Sequence, residues 1–150
     1  MKEFPNKKRL ILLTGATGYV GGRLLRVLRQ QGERIRCLTR RPGELVERVG
    51  SDIEVFAGDA LNEESLKASM KGVDTAFYLI HSMGADSDFS IEDRLAAQRF
   101  VSAAEQHKIR RIVYLGGLGQ DDVKSAHLRS RHEVGRIFRA SSVATIELRA

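Results

Sequence analysis

The order of apolar segments along the chain is the feature that most restricts its fold. Short runs rich in β-branched and aliphatic residues alternate with longer segments in which apolar residues recur every three or four positions. This alternation is typical of β-α-β units, in which helices join parallel strands and cover the sheet. It predicts an α/β fold with a doubly wound parallel sheet of about six strands and helices on both faces.

The element boundaries follow from these patterns and from capping residues. The predicted strands are short apolar runs, and they cover Arg9–Thr14, Arg34–Thr39, Ile53–Phe56, Thr75–Ile80, Ile112–Leu115 and Ala144–Leu148. The predicted helices have helical apolar periodicity, and they cover Tyr19–Gln31, Asn62 to about Gly72, Ser90 to about His107 and about Ser125 to Ala140. Val20, Leu24, Leu25, Val27 and Leu28 form the predicted apolar face of the first helix. Asn62 is predicted to cap the second helix, and Ser90 with Asp93 resembles a capping box for the third.

The composition favours one folded domain in a reducing compartment. The chain has 150 residues, of which 42% are hydrophobic, and Cys37 is its one cysteine. A single cysteine forms no internal disulfide, and no Cys/His cluster has zinc spacing, so we expect a cytoplasmic protein without a metal site. Cys37 is expected to be a buried small hydrophobe rather than a redox thiol. The basic N-terminus resembles a signal peptide, but its apolar run, Leu10–Leu13, is too short for one, and no run is long enough to span a membrane.

The net charge of +6 is unevenly distributed along the chain. Basic residues are in excess in residues 1–50 and 108–150, and acidic residues are in excess in residues 51–107. A basic balance raises a nucleic-acid-binding module as one alternative. The other reading is that arginine-rich helix faces are simply solvated. The chain lacks the aromatic and basic pattern of single-strand binding, so we expect no nucleic-acid partner.

The last predicted strand ends close to residue 150, with no helix after it. A parallel strand needs both of its faces covered. We therefore expect residues 1–150 to be one domain, followed by a C-terminal domain that this sequence does not include. The alternative is a small doubly wound domain that ends on a strand.

A glycine-rich turn joins the first predicted strand to the first predicted helix. Gly15, Gly18 and Gly21 form a GxxGxxG pattern, one residue longer than the GxGxxG fingerprint of dinucleotide-binding sites. Such glycines permit the tight turn, the approach of backbone N–H groups to a pyrophosphate and close helix–sheet packing. The alternative is a tight turn without a ligand. Residues predicted to contact the cofactor in this segment are Gly15, Thr17, Gly18, Tyr19 and Val20.

The end of the second predicted strand bears on which dinucleotide is bound. An NAD site usually has Asp or Glu here for the ribose 2′-hydroxyl, but this chain has Arg40 and Arg41. Guanidinium groups bind a 2′-phosphate through charge-assisted bonds, so NADP is the predicted cofactor and NAD is less favoured. The alternative is two exposed arginines at a strand end. After the third strand, Asp59 and Ala60 are predicted near the adenine, where Asp59 either accepts from the amino group or caps the following helix.

Six segments occur in an order that resembles a known superfamily: TGATGYVGG, LTRRP, AGDALNEESL, DTAFYLIHSMG, RRIVYLGGLG and HLRSRHEVG. The chain resembles the atypical and extended short-chain dehydrogenases/reductases (SDRs), and within them the NmrA-like NAD(P)-binding group. YLIHSMG together with HLRSRHEVG looks like a bacterial subgroup described as nucleoside-diphosphate-sugar epimerase-like. The resemblance implies a Rossmann fold, and it implies cofactor contacts from Leu79 near the end of the fourth predicted strand and from His81 just after it.

The resemblance also implies a catalytic Ser and a YxxxK pair, from which this chain departs. Gly116-Gly117-Leu118 stands where the Ser is expected, His127 at the Tyr position and Arg131 at the Lys position. His81, His127 and Arg131 are therefore the candidate catalytic residues. His127 is either an acid or an exposed helix residue, His81 either functional or structural, and Arg131 a ribose ligand but no proton donor. Tyr114 is expected in the core.

Two functions remain open at this stage. One is an NADP(H)-dependent oxidoreductase or epimerase-like enzyme that acts on a small-molecule substrate and uses catalytic groups from the expected C-terminal domain. The other is a non-catalytic NmrA-like dinucleotide sensor that acts through a regulatory protein partner. The missing Ser and Tyr favour the sensor, and the two histidines favour the enzyme. The sequence gives no signal for an oligomeric state.

Overall fold

The computed structural model describes residues 8–82, 89–119 and 124–150, which form one sheet flanked by helices. The strands of this part of the chain are β1 (Leu10–Thr14), β2 (Arg34–Thr39), β3 (Glu54–Ala57), β4 (Val73–Tyr78), β5 (Arg111–Gly116) and β6 (Ala144–Arg149). Its helices are α1 (Tyr19–Gln30), α2 (Pro42–Val49), α3 (Glu63–Met70), α4 (Phe89–Gln106) and α5 (Ala126–Ala140). None of these helices is both long enough and apolar enough to cross a bilayer.

The sheet is parallel throughout, with the strand order β3-β2-β1-β4-β5-β6. The central strand β1 pairs on one side with β2, where Leu12 lies opposite Arg36, and on the other with β4, where Leu12 lies opposite Ala76. The chain therefore winds outward to β3 and then crosses back to β4. Between β1 and β4 the winding direction reverses, which is where sheets of this class bind ligands. The predicted doubly wound fold is confirmed.

Two apolar clusters hold the helices on opposite faces of the sheet. On one face, α1 and α2 bury Leu25, Leu28, Leu45 and Val49 in a cluster that includes Leu13 of β1. On the other face, α3, α4 and α5 pack against β1, β4 and β5. An aromatic group at the centre of that face consists of rings in edge contact, contributed by Tyr78, Phe100, Tyr114 and Phe138. These contacts fix the strand ends that line the cleft described below.

The helix α2 and one cap depart from the sequence expectations. Residues 42–49 were not predicted to be helical, although Pro42 stands at the first turn and Leu45 and Val49 form a buried i, i+4 pair. Asn62 caps α3 as predicted, and its side chain accepts a hydrogen bond from Ser65 N at 2.8 Å. The predicted capping box of Ser90 and Asp93 is wrong: Asp93 is buried, and its carboxylate contacts residues outside α4.

The predicted apolar face of α1 is too wide. Leu25 and Leu28 are buried as expected, but Val20 and Val27 are 47% and 45% exposed. The buried residues of this helix are Gly21, Leu25 and Leu28, which form a narrow stripe. Gly21 packs against the glycine turn, where a Cβ on it would lie 2.0 Å from the Gly15 carbonyl oxygen. Val20 and Val27 therefore fall to the side of that stripe.

Cys37 is expected to be unreactive in the folded protein. Its side chain is fully buried in β2, and burial raises the pKa of the thiol to about 12. Since the thiolate is the reactive form, a disulfide reagent such as dithionitrobenzoate should give no colour at pH 8 with native protein and one equivalent after unfolding in urea. Rapid labelling without denaturant would contradict the packing of β2 against α1 and α2.

Candidate functional site

A cleft of about 780 Å³ runs along the carboxyl ends of β1 to β5. It lies over the point between β1 and β4 where the winding of the sheet reverses. Its walls contain every residue predicted to contact the cofactor, namely Gly15, Thr17, Gly18, Tyr19, Val20, Arg40, Arg41, Asp59, Ala60, Leu79 and His81. The fold thus brings together segments that are up to 66 positions apart in the sequence, because parallel strands end on one edge of the sheet.

The glycine turn is held tightly against β4. Gly15 has φ +74°, and a Cβ on it would lie 2.8 Å from the Leu79 carbonyl oxygen. A Cβ on Gly21 would lie 2.0 Å from the Gly15 carbonyl oxygen. Thr14 Oγ1 donates to Phe77 O at 2.9 Å and accepts from Leu79 N at 3.2 Å. The turn therefore has no room for side chains at these glycines, and its backbone forms the floor of the cleft.

The first turn of α1 faces the cleft with its backbone N–H groups. Gly18 is the N-cap residue and provides no side-chain cap, and the first turn contains no acidic residue. Uncapped N–H groups and the positive end of the helix dipole favour an anion. The exposed ring of Tyr19 lies beside this turn with the Arg23 guanidinium 4.5 Å from its centre. This end of the cleft is suited to a phosphate group.

The two arginines after β2 have different surroundings. Arg41 is the N-cap residue of α2, and its guanidinium contacts Glu44 Oε1 at 3.4 Å. Arg40 is exposed at the cleft, and within the described residues no hydrogen bond or ion pair engages its guanidinium. The sequence did not distinguish the two, because Arg41 acquires its partner only when α2 forms. Arg40 is the arginine with its charge available to a ligand.

Asp59 shapes the loop after β3 and does not cap α3. Its Oδ1 accepts from Leu61 N at 2.9 Å, and Asn62 provides the cap. Ser65 Oγ donates to Asp59 O at 2.9 Å and ties the loop to the helix. Ala60 beside it is buried. Of the two alternatives for Asp59, the helix-cap role is therefore excluded, while its side chain still lines the cleft.

A buried carboxylate organises the other end of the cleft. Asp93 of α4 is 6% exposed, its Oδ1 accepts from Ser82 N at 2.7 Å, and its Oδ2 accepts from Ser130 Oγ at 2.9 Å. It thereby joins the segment after β4 to α5. Sequence reasoning missed this residue, because its two partners lie 11 and 37 positions away. An acidic residue inside an otherwise apolar helix stripe is the signal that could have identified it.

His81 and Arg131 lie in direct contact beside this carboxylate. Arg131 Nη2 is 2.9 Å from His81 Nε2, across 50 positions of sequence. Burial, and then the nearby Arg131 charge, lower the pKa of His81 below its ordinary value. His81 is therefore neutral near pH 7. The structure brings these two candidate residues together.

The other residues considered from the sequence, His127 and Tyr114, do not take part in the His81–Arg131 side-chain contact. His127 is exposed on α5, where its ring stacks on Phe89 with the centroids 4.4 Å apart. Tyr114 is 3% exposed and donates to Arg131 O at 2.9 Å, which places it in the core as expected. Burial raises the pKa of both Tyr114 and Tyr78 above the ordinary value, so neither is an acid near neutral pH. No metal-binding group of His, Cys, Asp and Glu occurs among the residues that the structure describes.

The chain matches a family described as NAD(P)H-binding over residues 15–150. Among curated proteins, the chain is 28% identical over 119 residues to cinnamoyl-CoA reductase 2 of Arabidopsis thaliana, covering 74% of this chain and 36% of that protein. The chain thus spans little more than a third of the length of such relatives.

Solved structures share the fold. A short-chain dehydrogenase/reductase superfamily protein from Agrobacterium tumefaciens with bound NAD superposes with a TM-score of 0.79 at 21% identity, covering 94% of this chain and 48% of that one. The triphenylmethane reductase of Citrobacter sp., complexed with NADP(H), superposes with a TM-score of 0.77 at 21% identity, with the same coverage of both chains. Both forms of the dinucleotide thus occur among structures with this fold.

Proposed function

The chain belongs to the NAD(P)H-binding family, and on that premise we propose that it binds NADP(H) in preference to NAD(H), as the cofactor domain of an atypical SDR reductase. The observation that carries the proposal is the guanidinium of Arg40, which has no partner among residues 8–82, 89–119 and 124–150, lies in the same cleft as the glycine turn, and has no acidic residue beside it at that strand end. A carboxylate there would repel a 2′-phosphate, and an unengaged guanidinium attracts it.

The residues of the cleft suit the separate parts of a dinucleotide. The uncapped start of α1 suits the pyrophosphate, and the Cβ-free surfaces of Gly15 and Gly18 let it approach the backbone. Arg40 lies on the β2 side of this turn, and His81 lies on the β4 side. A ligand that extends across the turn therefore meets Arg40 with its adenosine half and the His81 end with its other half. The cofactor supplies a hydride to the substrate when it is bound.

Replacing Arg40 with alanine is expected to weaken NADPH binding about 10- to 100-fold and to leave NADH binding nearly unchanged. A hydrogen bond to a charged group contributes about 1.5–3 kcal/mol, and only NADPH carries the phosphate that Arg40 would contact. Isothermal titration calorimetry of the full-length protein with both reduced cofactors measures the effect.

Two matched variants make this experiment specific. Arg26→Ala removes an exposed arginine of α1 outside the cleft, and it should change neither affinity. Arg41→Ala removes the arginine that is already paired with Glu44, and it should weaken NADPH binding less than Arg40→Ala does. Equal affinity of the unmodified protein for NADPH and NADH would disprove the preference. If Arg40→Ala lowered the affinities for NADPH and NADH equally, Arg40 would have a structural role instead.

A second candidate function is a dinucleotide sensor without catalysis. It is favoured by Gly117, where a Cβ would lie 2.6 Å from a Leu128 side-chain atom, so that no serine fits without a shift. It is favoured too by the two tyrosines near β5, Tyr78 and Tyr114, which are both buried. A sensor would bind NADPH without consuming it. Lack of NADPH oxidation by the full-length protein with a broad panel of aldehydes, ketones and quinones would favour this candidate over the reductase.

A further inference from the structure

A small chamber of about 200 Å³ opens beside the cofactor cleft. Its walls come from the segment after β4, from α4 and from α5, through the side chains of His81, Ser82, Asp93, His127 and Arg131. Four of these residues also line the main cleft, with His127 as the exception. The chamber is therefore continuous with the end of the cleft that lies on the β4 side of the glycine turn.

Hydrogen-bond chemistry fixes the state of the His81 ring. A guanidinium has only donors, so the 2.9 Å contact from Arg131 Nη2 requires His81 Nε2 to accept through its lone pair. An imidazole with an unprotonated Nε2 carries its proton on Nδ1. The ring is thus neutral, and its remaining polar atom is a donor. The lowered pKa of His81 agrees with this assignment.

The charges around the chamber nearly cancel. Among the described residues, the charged and titratable groups that act on the His81 ring are Arg131 and His127 on α5 and Asp93 on α4. Glu92 of α4 lies close by, with its Oε2 3.5 Å from Ser82 Oγ. The Arg131 cation is opposed by the Asp93 carboxylate, which is itself held by Ser82 N and Ser130 Oγ. The chamber therefore offers a polarised N–H donor without a net positive charge. This favours a neutral group with a hydrogen-bond acceptor over a permanent anion.

We propose that the His81–Arg131 pair binds the oxygen of a neutral carbonyl substrate, an aldehyde or ketone, through His81 Nδ1–H. The proposal rests on the proposed NADP(H)-dependent reductase function and names its substrate class. It gives this chain an oxygen-binding donor in place of the absent Ser and Tyr. Neutral imidazoles serve as such donors in enzymes that polarise carbonyl groups.

The chemistry balances with these groups and the reduced dinucleotide. A hydride adds to the carbonyl carbon, and the electron pair of the C=O π bond moves to the oxygen. His81 Nδ1–H and the Arg131 charge stabilise the developing alkoxide, as preorganised donors do for an oxyanion. The alkoxide then takes a proton from solvent, which gives the alcohol and the oxidised dinucleotide. His81 keeps its own proton, as suits a group that remains neutral.

Nitrogen-15 NMR of the histidine side chains tests the pair without any cofactor. The full-length protein should show His81 with protonated Nδ1 and unprotonated Nε2 from pH 7 to pH 8. Arg131→Lys keeps a donor and should preserve this tautomer, whereas Arg131→Gln removes the charge and should raise the His81 pKa. His107→Gln, which changes a histidine outside the chamber, serves as the control. A His81 ring that is protonated on both nitrogens at pH 7, or on Nε2 alone, would overturn the proposal.

Steady-state reduction of p-nitrobenzaldehyde, simple ketones and quinones by NADPH tests the substrate class. His81→Leu removes the donor and should lower kcat/KM about 100-fold, the loss typical of one oxyanion donor. Because His81 also lines the cofactor cleft, NADPH affinity is measured by calorimetry in the same variant, and kcat/KM is compared at saturating NADPH so that weaker cofactor binding is not mistaken for loss of the donor. An unchanged kcat/KM in His81→Leu overturns the proposal.

The two proposals fail in different ways. Tight NADPH binding by the unmodified protein with no reduction of any carbonyl probe overturns the carbonyl assignment and leaves the cofactor proposal intact. Absence of NADPH binding overturns the proposed function itself, and the carbonyl assignment with it. Calorimetry and the reduction assay thus separate the two cases.

Discussion

Replacing Gly21 with alanine is expected to abolish dinucleotide binding and to lower the free energy of unfolding by about 3 kcal/mol, the upper range for overpacking. A Cβ at this position would lie 2.0 Å from the Gly15 carbonyl oxygen and 2.7 Å from its carbonyl carbon. Both atoms belong to the backbone of the turn, so the helix or the turn must move. Urea denaturation measures the stability, and calorimetry with NADPH measures the binding.

The neighbouring glycine provides the matched control. A Cβ on Gly22 would lie 3.4 Å from the Ala16 carbonyl oxygen, at the edge of ordinary contact. Alanine also favours a helix over glycine by about 1 kcal/mol, so Gly22→Ala should leave stability within about 1 kcal/mol of the unmodified protein. A Gly21→Ala variant as stable as Gly22→Ala, with NADPH binding intact, would contradict the close contact between α1 and the turn.

Replacing Asp93 with alanine should lower the free energy of unfolding by about 3–6 kcal/mol, since it removes two hydrogen bonds to a charged acceptor at about 1.5–3 kcal/mol each. The carboxylate is buried and accepts from Ser82 N and Ser130 Oγ, which lose their partner in this variant. The segment that carries His81 would then separate from α5, which carries Arg131. Urea denaturation and the His81 nitrogen-15 signals measure the two effects.

Asp93→Asn tests the same contacts with nearly the same shape. Its amide oxygen can still accept from Ser82 N, and its amino group can donate to the Ser130 hydroxyl. We therefore expect Asp93→Asn to lose about half as much stability as Asp93→Ala and to keep the His81–Arg131 contact. Equal stability of Asp93→Ala and the unmodified protein would show that the two bonds contribute nothing in solution.

The strands and the glycine turn could be predicted because their signals are local. The β-branched and aliphatic runs of β1 and β2 mark buried parallel strands, and the turn from Gly15 to Gly18 lies wholly between β1 and α1. The observed strand bounds differ from the predicted ones where an apolar run extends beyond the residues that pair with a neighbouring strand. The fourth strand was expected at Thr75–Ile80 and lies at Val73–Tyr78, because its pairing with β1 begins at Val73.

The contacts that assemble the site could not be predicted from one sequence. Asp93 looked like a helix cap, since its spacing from Ser90 gives no sign of the distant Ser82 and Ser130. The contact between His81 and Arg131 spans 50 positions and depends on how α5 docks over β5. Apolar periodicity likewise predicts which face of a helix is apolar but not how deeply each of its residues is buried. Val20 was therefore expected to be buried, although it is 47% exposed.

The hydrogen bonds of Thr14 have a consequence for the order of events during synthesis. Thr14 Oγ1 bonds to Phe77 O and Leu79 N, which lie 63 and 65 positions later, and Gly15 packs on Leu79. Contacts between distant residues form late, because closing a long loop costs entropy before any contact compensates for it. A nascent chain that has only β1, α1 and β2 outside the ribosome therefore has the glycines of the turn but not their supporting strand. We infer that the glycine turn becomes rigid only after β4 has emerged and paired with β1.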